Sequence, residues 1–159
     1  MAPRALFDLS ALDLDRVRYG VREIEAINPH RGCMRLLDGV IWHDESWSRA
    51  LAFKDVGHDE FWAAGHIPGR PLFPGVLMVE AAAQLASFVI AQRLAEHGPR
   101  FIGFIGCDEV KFRTQVVPGE RLLICAKEVK FGRRRFVCAT QGWVNGNLCF
   151  EAKIKGMPI

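Results

Sequence analysis

Between Leu72 and Gln92 the alternation of apolar and polar positions almost disappears, and Glu80 is the only formally charged residue. Val76, Leu77, Met78, Val79, Leu85, Phe88, Val89 and Ile90 fall around most of the circumference of a 3.6-residue helix. The pattern predicts a helix surrounded by other elements rather than resting on a surface. Pro74 or Gly75 suits its first position, and it runs to about His97, where Gly98-Pro99 is a stop signal. Ala81, Ala82, Ala83 and Ala86 would let neighbouring backbone approach closely.

The segments on either side carry strand patterns. Met34 to Trp42 reads as a first strand and His43-Asp44-Glu45-Ser46 as a hairpin turn. Trp47 to Lys54 returns, with Trp47, Arg49, Leu51 and Phe53 on one face. After the long helix, residues 101–112, 121–131, 135–144 and 148–154 are rich in β-branched and aromatic residues. They are divided by Val117-Pro118-Gly119-Glu120, Gly132-Arg133-Arg134 and Asn145-Gly146-Asn147, of which Asn-Gly is a strong hairpin signal. Val21 to Ala26 forms a short helix stopped by Asn28-Pro29. Asp59 to Trp62 makes a helical turn within a loop. Leu9, Leu12 and Leu14 either dock residues 1–20 on the body or leave them a loosely held extension. Two strands, one enclosed helix and a four-strand meander suit an α+β domain in which an antiparallel sheet curls around a central helix.

Composition narrows the class. The chain has 159 residues, enough for one domain, 1–159, with a substantial core. Its net charge of +3 is too mild to argue for nucleic acid. The five cysteines are odd in number and lack any Cys-x-x-Cys pair, which fits reduced thiols in a cytoplasmic protein. Asp8, Asp13 and Asp15 interrupt any signal-peptide core. The long apolar run has the length of a membrane span, but Glu80, Gln84, Ser87 and Gln92 interrupt it, so a core helix is the better reading. His58, Asp59 and Glu60 lack metal-ligand spacing, and no metal site is expected.

Glu80 is the residue this pattern leaves to explain. An unpaired carboxylate in an apolar helix costs several kcal/mol or neutralises. It therefore either faces water or is kept for chemistry. Leu72, Phe73, Pro74 and Gly75 place no Ser, Thr, Asp or Asn at the helix start, so the free N–H groups there are available to an oxygen acquiring charge. Gln84 lies one turn beyond Glu80 and is more readily structural than catalytic.

The segment His66-Ile-Pro-Gly-Arg-Pro-Leu-Phe-Pro-Gly75-Val-Leu-Met-Val-Glu80-Ala-Ala-Ala-Gln84 resembles the signature of the FabZ-type 3-hydroxyacyl-(acyl carrier protein) dehydratases, His-Phe-Pro-Gly-x-Pro-x-x-Pro-Gly-Val-Leu-x-x-Glu-Ala-x-Ala-Gln. Asn28-Pro29-His30-Arg31 is similar to that family's Leu-Pro-His-Arg. Gly106-Cys-Asp108-Glu-Val-Lys-Phe112-Arg with Val117-Pro118-Gly119 is similar to its Gly-Ile-Asp-x-x-(Arg/Lys)-Phe and Pro-Gly. Only about the first 20 residues fall outside the resemblance. Ile67 stands in place of phenylalanine, Asn28 in place of leucine, and Gly39 where arginine is common; these departures bear on substrate preference rather than on a catalytic group.

The resemblance implies a hotdog fold, a homodimer or trimer of dimers, and active sites shared across the dimer interface. It implies dehydration of a (3R)-hydroxyacyl thioester, carried by an acyl carrier protein, to the trans-2-enoyl thioester, with no cofactor. Carried over, His66 and Glu80 are the catalytic pair and Gly75 the backbone donor to the thioester carbonyl, with Val76 and Gln84 as further substrate-binding positions. His66 then suits the base, and Glu80 the acid if burial keeps it protonated. The exposed tip Lys130, Arg133, Arg134 and Arg135 suits docking of an acidic carrier. Phe101, Ile102, Phe104 and Ile105 read as core-facing, some of them lining an acyl tunnel. The alternatives are another hotdog thioester activity, hydrolysis or enoyl-CoA hydration, or a non-catalytic acyl-binding subunit.

Overall fold

A computed structural model describes residues 3–98 and 101–159. Along the chain run α1 (Val21–Ile27), β1 (Gly39–His43), β2 (Arg49–Asp55), α2 (Gly75–Arg93), β3 (Ile102–Phe112), β4 (Arg121–Phe131), β5 (Phe136–Val144) and β6 (Asn147–Pro158). All six strands join one antiparallel sheet in the order β1-β2-β4-β5-β6-β3. The sheet curls around α2, which touches every strand from β2 to β6.

That enclosure follows from the residues of α2. Ala81, Ala82 and Ala86 are fully buried and let the strands close in, while Leu85, Phe88 and Ile90 pack on Ile124, Phe150 and Ile154. Burying each such large side chain contributes on the order of 1.5–3 kcal/mol. By length and composition α2 would pass for a membrane span, but the sheet makes it the core helix. One stripe stays open: Val76 is exposed, and Val79, Glu80 and Ala83, at helical spacing from it, are half-buried.

Most expected elements stand close to their predicted bounds, with four differences. The first strand begins at Gly39, because Gly32–Met34 forms a 3-10 turn and residues 35–38 lead on without ladder pairing. The Gln84 side chain satisfies the backbone there instead. Trp47 does not share a face with Leu51 and Phe53. Its left-handed φ of 55° turns the indole inward, where it stacks on His43 and meets the edge of Phe88. Helix α2 stops at Arg93, followed by a 3-10 turn, Ala95–His97, and Gly98 at φ 87°; Pro99 lies outside the described residues. The fourth difference is at β3, which among the described residues pairs only with β6: Phe101 just before it, and Phe104 and Ile105 on it, are 52%, 53% and 43% exposed rather than core-facing.

The β5–β6 turn holds the expected Asn145-Gly146 pair, both at positive φ, as a tight two-residue hairpin requires. The N-terminal segment docks. Leu6, Phe7, Leu9, Leu12 and Leu14 lie over Ile41, Leu51, Phe53, Trp143 and Leu148 on the sheet's outer face. The Leu6 N–H donates to Gln141 Oε1 at 2.9 Å, fixing the segment to β5. Gly39 is buried under the Phe53 ring, so a side chain such as arginine would displace that ring.

Candidate functional site

The loop into α2 is built to aim His66. Trp62 is buried and stacks on Phe73 at 5.2 Å, and its carbonyl accepts the His66 N–H at 2.9 Å. The Phe73 N–H is in turn held by the Val116 carbonyl at 2.9 Å. Within this frame the imidazole folds back until Nδ1 reaches the Leu72 carbonyl oxygen at 2.7 Å. A carbonyl only accepts, so the neutral ring carries its proton on Nδ1 and presents Nε2 as an acceptor.

His66 shares a cleft of about 370 Å³ with Gly75, Val76 and Phe112. Pro74 caps α2 without any side-chain hydrogen bond. The first N–H groups of a nineteen-residue helix thus remain available at the cleft, at the positive end of the helix dipole. Glycine at 75 lets the Phe112 ring close over the helix start: a Cβ there would lie 2.7 Å from that ring and displace it. Phe112 thereby forms a wall of this cleft. The sequence hinted at it only as part of the Val-Lys-Phe stretch on β3.

Glu80 belongs to a different cavity. Five helical steps separate it from Gly75, a rise of about 7.5 Å and a turn of about 140°, which carries its carboxylate away from the His66 cleft. Its cavity, about 200 Å³, is lined by His30, Gln84, Phe101, Ile102 and Phe104 among others, and His66 is not among them. Within one chain the structure therefore brings Gly75 and Val76 to His66, and Gln84 to Glu80, without joining the two groups.

Around Glu80 the polar atoms form a ladder. Gln84 is 1% exposed; its Nε2 donates to Glu80 Oε1 at 2.9 Å and to the Met34 carbonyl at 2.7 Å, while its Oε1 accepts the Leu36 N–H at 2.9 Å. Asn28, also buried, donates from Nδ2 to the Gln84 carbonyl at 2.9 Å. His30 Nε2 lies 3.3 Å from Glu80 Oε1. Burial is the largest single influence on the Glu80 carboxyl and pushes it up. The hydrogen bonds from His30 and Gln84, with the charge of His30, together outweigh it and hold Glu80 below the ordinary carboxylate value. This corrects the expectation that burial alone keeps Glu80 protonated: the apolar helix supplies the desolvation, but neighbours outside it supply donors. His30 was visible only as part of the Pro-His-Arg resemblance, with no role attached.

Other candidates separate cleanly from the site. Glu60 is paired with the buried Lys54 at 2.7 Å, and no group of three or more potential metal ligands occurs among the described residues. Burial pushes the Cys125 and Cys138 thiols up to about 12, which makes them inert.

Comparison with known proteins agrees with this architecture. The family model of the FabA-like domain matches residues 28–153. Among solved structures, the chain is similar to the dehydratase heterocomplex ApeI:P from Xenorhabdus doucetiae, with 15% identity and a TM-score of 0.72 over 86% of this chain and 90% of that one. It is similar to a thioesterase from Haemophilus influenzae, at 16% identity and TM-score 0.61, covering 76% and 77% of the two chains. A Streptococcus mutans protein bound to acetyl CoA matches at 10% identity and TM-score 0.58, covering 76% and 86%. At these identities the structural matches establish the hotdog fold alone.

Proposed function

The chain belongs to the FabA-like domain family, and from that premise we propose that it dehydrates (3R)-hydroxyacyl thioesters of an acyl carrier protein to trans-2-enoyl thioesters. The observation that carries this reading is the His66 tautomer set beside an uncapped helix start at Gly75. Elimination of water needs a base for the C2 proton, a donor to the carbonyl oxygen as it gains enolate charge, and an acid for the leaving hydroxyl. Nε2 of His66 is the base, the N–H groups of Gly75 and Val76 are the carbonyl donors, and Glu80 delivers the proton to the hydroxyl.

Because His66 and Glu80 open onto separate cavities of one chain, the working unit in this reading is a dimer. The unpaired edge of β3, with exposed Phe101, Phe104 and Ile105, is where a second copy extends the sheet. The open stripe of α2 then faces that copy, and His66 of each chain serves a Glu80 cavity of the other. The apolar walls of the Glu80 cavity suit an acyl chain. The five free thiols fit a cytoplasmic setting.

Purified protein mixed with a 3-hydroxyacyl-carrier-protein thioester should produce enoyl absorbance without releasing thiol. Free thiol would replace the reading by hydrolysis, and tight binding without product would replace it by an acyl-binding role.

A further inference from the structure

The carboxylate of Glu80 is not alone at the head of its cavity, and the residue beside it is tied down more thoroughly than a passive neighbour needs. His30 follows α1 in a short loop. Arg31 clamps that loop through three backbone carbonyls: Nη1 to Asn28 at 2.8 Å and to His30 at 2.9 Å, and Nη2 to Glu25 at 2.6 Å. Asn28 bonds the same loop to the backbone of α2 at Gln84. The clamp and the bond together set the His30 ring against Glu80, with Nε2 3.3 Å from Oε1. The other ring nitrogen, Nδ1, has no hydrogen-bond partner among the described residues, so the polar side chain this ring is set against is Glu80.

The geometry points to His30 as a positioning residue that shares one proton with Glu80, so that the His30–Glu80 pair, rather than the carboxyl alone, is the acid of the dehydration. The inference rests on the dehydratase reading above and resolves a difficulty in it. Held ionised chiefly by His30 and then by Gln84, the Glu80 carboxyl is not by itself the store of the transferred proton near neutral pH. A pair holding one proton between imidazole and carboxylate keeps that proton available to higher pH, and it titrates as a unit.

The bookkeeping balances. His66 Nε2 takes the C2 proton, and the C2–H electron pair becomes the new C2–C3 double bond. The C3–O bond breaks with its electrons on oxygen, and the leaving hydroxyl takes the pair's proton through the Glu80 carboxyl and departs as water. What remains is protonated His66, a Glu80 carboxylate and a neutral His30 ring. Solvent then removes one proton from His66 and returns one to the pair. Among the described residues lining the cavity, Lys155 of β6 is the remaining titratable side chain, and it is engaged by Asp108 of β3. From α2 itself Gln84 faces the pair without titrating.

The test uses the full-length protein and the variants His30→Gln and His30→Ala. Glutamine keeps a side-chain N–H donor but holds no exchangeable proton of this kind. In His30→Gln, kcat/KM for a 3-hydroxyacyl thioester should fall about tenfold or more at alkaline pH and much less near about pH 5.5, moving the alkaline limb to lower pH. A merely structural role lowers activity evenly across pH, and a profile of unchanged shape overturns the inference. Independently of turnover, the Glu80 carboxyl is followed by 13C NMR and assigned by its loss in Glu80→Gln. Its midpoint should rise in His30→Ala; an unmoved midpoint overturns the pair. Wild-type protein without dehydratase turnover defeats the functional reading and the acid role, whereas the NMR titration still decides whether the pair exists.

Discussion

The Nδ1 of His66 donates to the carbonyl oxygen of Leu72 at 2.7 Å, which makes one ring nitrogen structural and leaves the other to the base role proposed above. The two jobs are separable. His66→Asn retains a donor near the Nδ1 position but has nothing at Nε2. It should melt close to wild type while losing on the order of 10²–10⁴ in kcat, the usual worth of a general base. His66→Ala should lose the same activity and, in addition, order in the loop. Full turnover by His66→Asn would remove His66 from the chemistry.

Wherever local pattern and local satisfaction coincide, the chain is readable from its sequence. The helix α2, the meander β4–β6 and the Asn145-Gly146 hairpin have their hydrogen-bond partners in the same or the next element. The strand pattern starting at Met34 yields a strand only from Gly39, because the groups that satisfy residues 34–36 are far along the chain: Gln84 holds Met34 and Leu36. The same distance hid His30, fifty residues before the carboxylate it faces. Trp47 escaped because a left-handed tryptophan is not a pattern but a local exception. Phe101, Ile102, Phe104 and Ile105 are the residue types of any core strand, and nothing in them distinguishes an edge open to a partner from a buried strand.

The contact between Gly75 and Phe112 predicts a coupled pair. In Gly75→Ala the new methyl meets the Phe112 ring at 2.7 Å. That ring is half-exposed and able to swing, so stability should change by less than about 1 kcal/mol. The displaced ring moves within the His66 cleft, and kcat/KM should fall at least about tenfold, or about 1.4 kcal/mol of transition-state stabilisation. Gly75→Ala combined with Phe112→Ala should recover part of that loss. Simple additivity in the double-mutant cycle would show that the two do not act through each other.

Lys130, Arg133, Arg134 and Arg135 form an exposed basic tip between β4 and β5. An acidic carrier is steered to such a tip by charge, and the effect weakens with salt. Reversing Arg133 and Arg134 to Glu should raise KM for the carrier-bound substrate several-fold and leave that for a short thioester unchanged. Equal changes for both substrates would place carrier docking elsewhere.

The turn between β1 and β2 is closed by one carboxylate. Asp44 accepts from the Ser48 N–H at 2.7 Å, the Ser48 hydroxyl at 2.5 Å, the Arg49 N–H at 3.0 Å and Arg49 Nε at 3.1 Å. Burial pushes its carboxyl up more than any single bond pulls it down, but the four bonds together bring it to about 2. A carboxyl depressed on folding stabilises the native state above its unfolded pKa of about 3.9. That stabilisation is lost as pH falls through the folded value. Asp44→Asn should therefore cost about 1–2 kcal/mol at neutral pH after allowance for solvent screening. Urea titrations at successively lower pH should show the gap shrinking below about pH 4 and closing near about pH 2. A gap independent of pH would mean that the side-chain amide fails for steric reasons instead.

Gln84 makes the sharpest prediction about how the fold serves the site, because one buried amide joins the loop 32–38, helix α2 and Glu80. Gln84→Leu keeps the volume roughly constant but leaves the Leu36 N–H and the Met34 carbonyl unpaired. The Leu36 N–H is orphaned in the interior at a cost of about 1–3 kcal/mol, whereas the carbonyl of the exposed Met34 can turn to water, so the variant should lose on the order of 1–3 kcal/mol in chemical denaturation. Its catalytic effect has a defined direction. Glu80 retains its leading donor, His30, but loses the second, Gln84. Its carboxyl should therefore titrate at higher pH than in wild type, measurable by the same 13C signal. A stability loss without that upward movement would confine Gln84 to holding the loop. Movement with little stability loss would mean that the loop finds other partners and that the amide is kept mainly for the carboxylate.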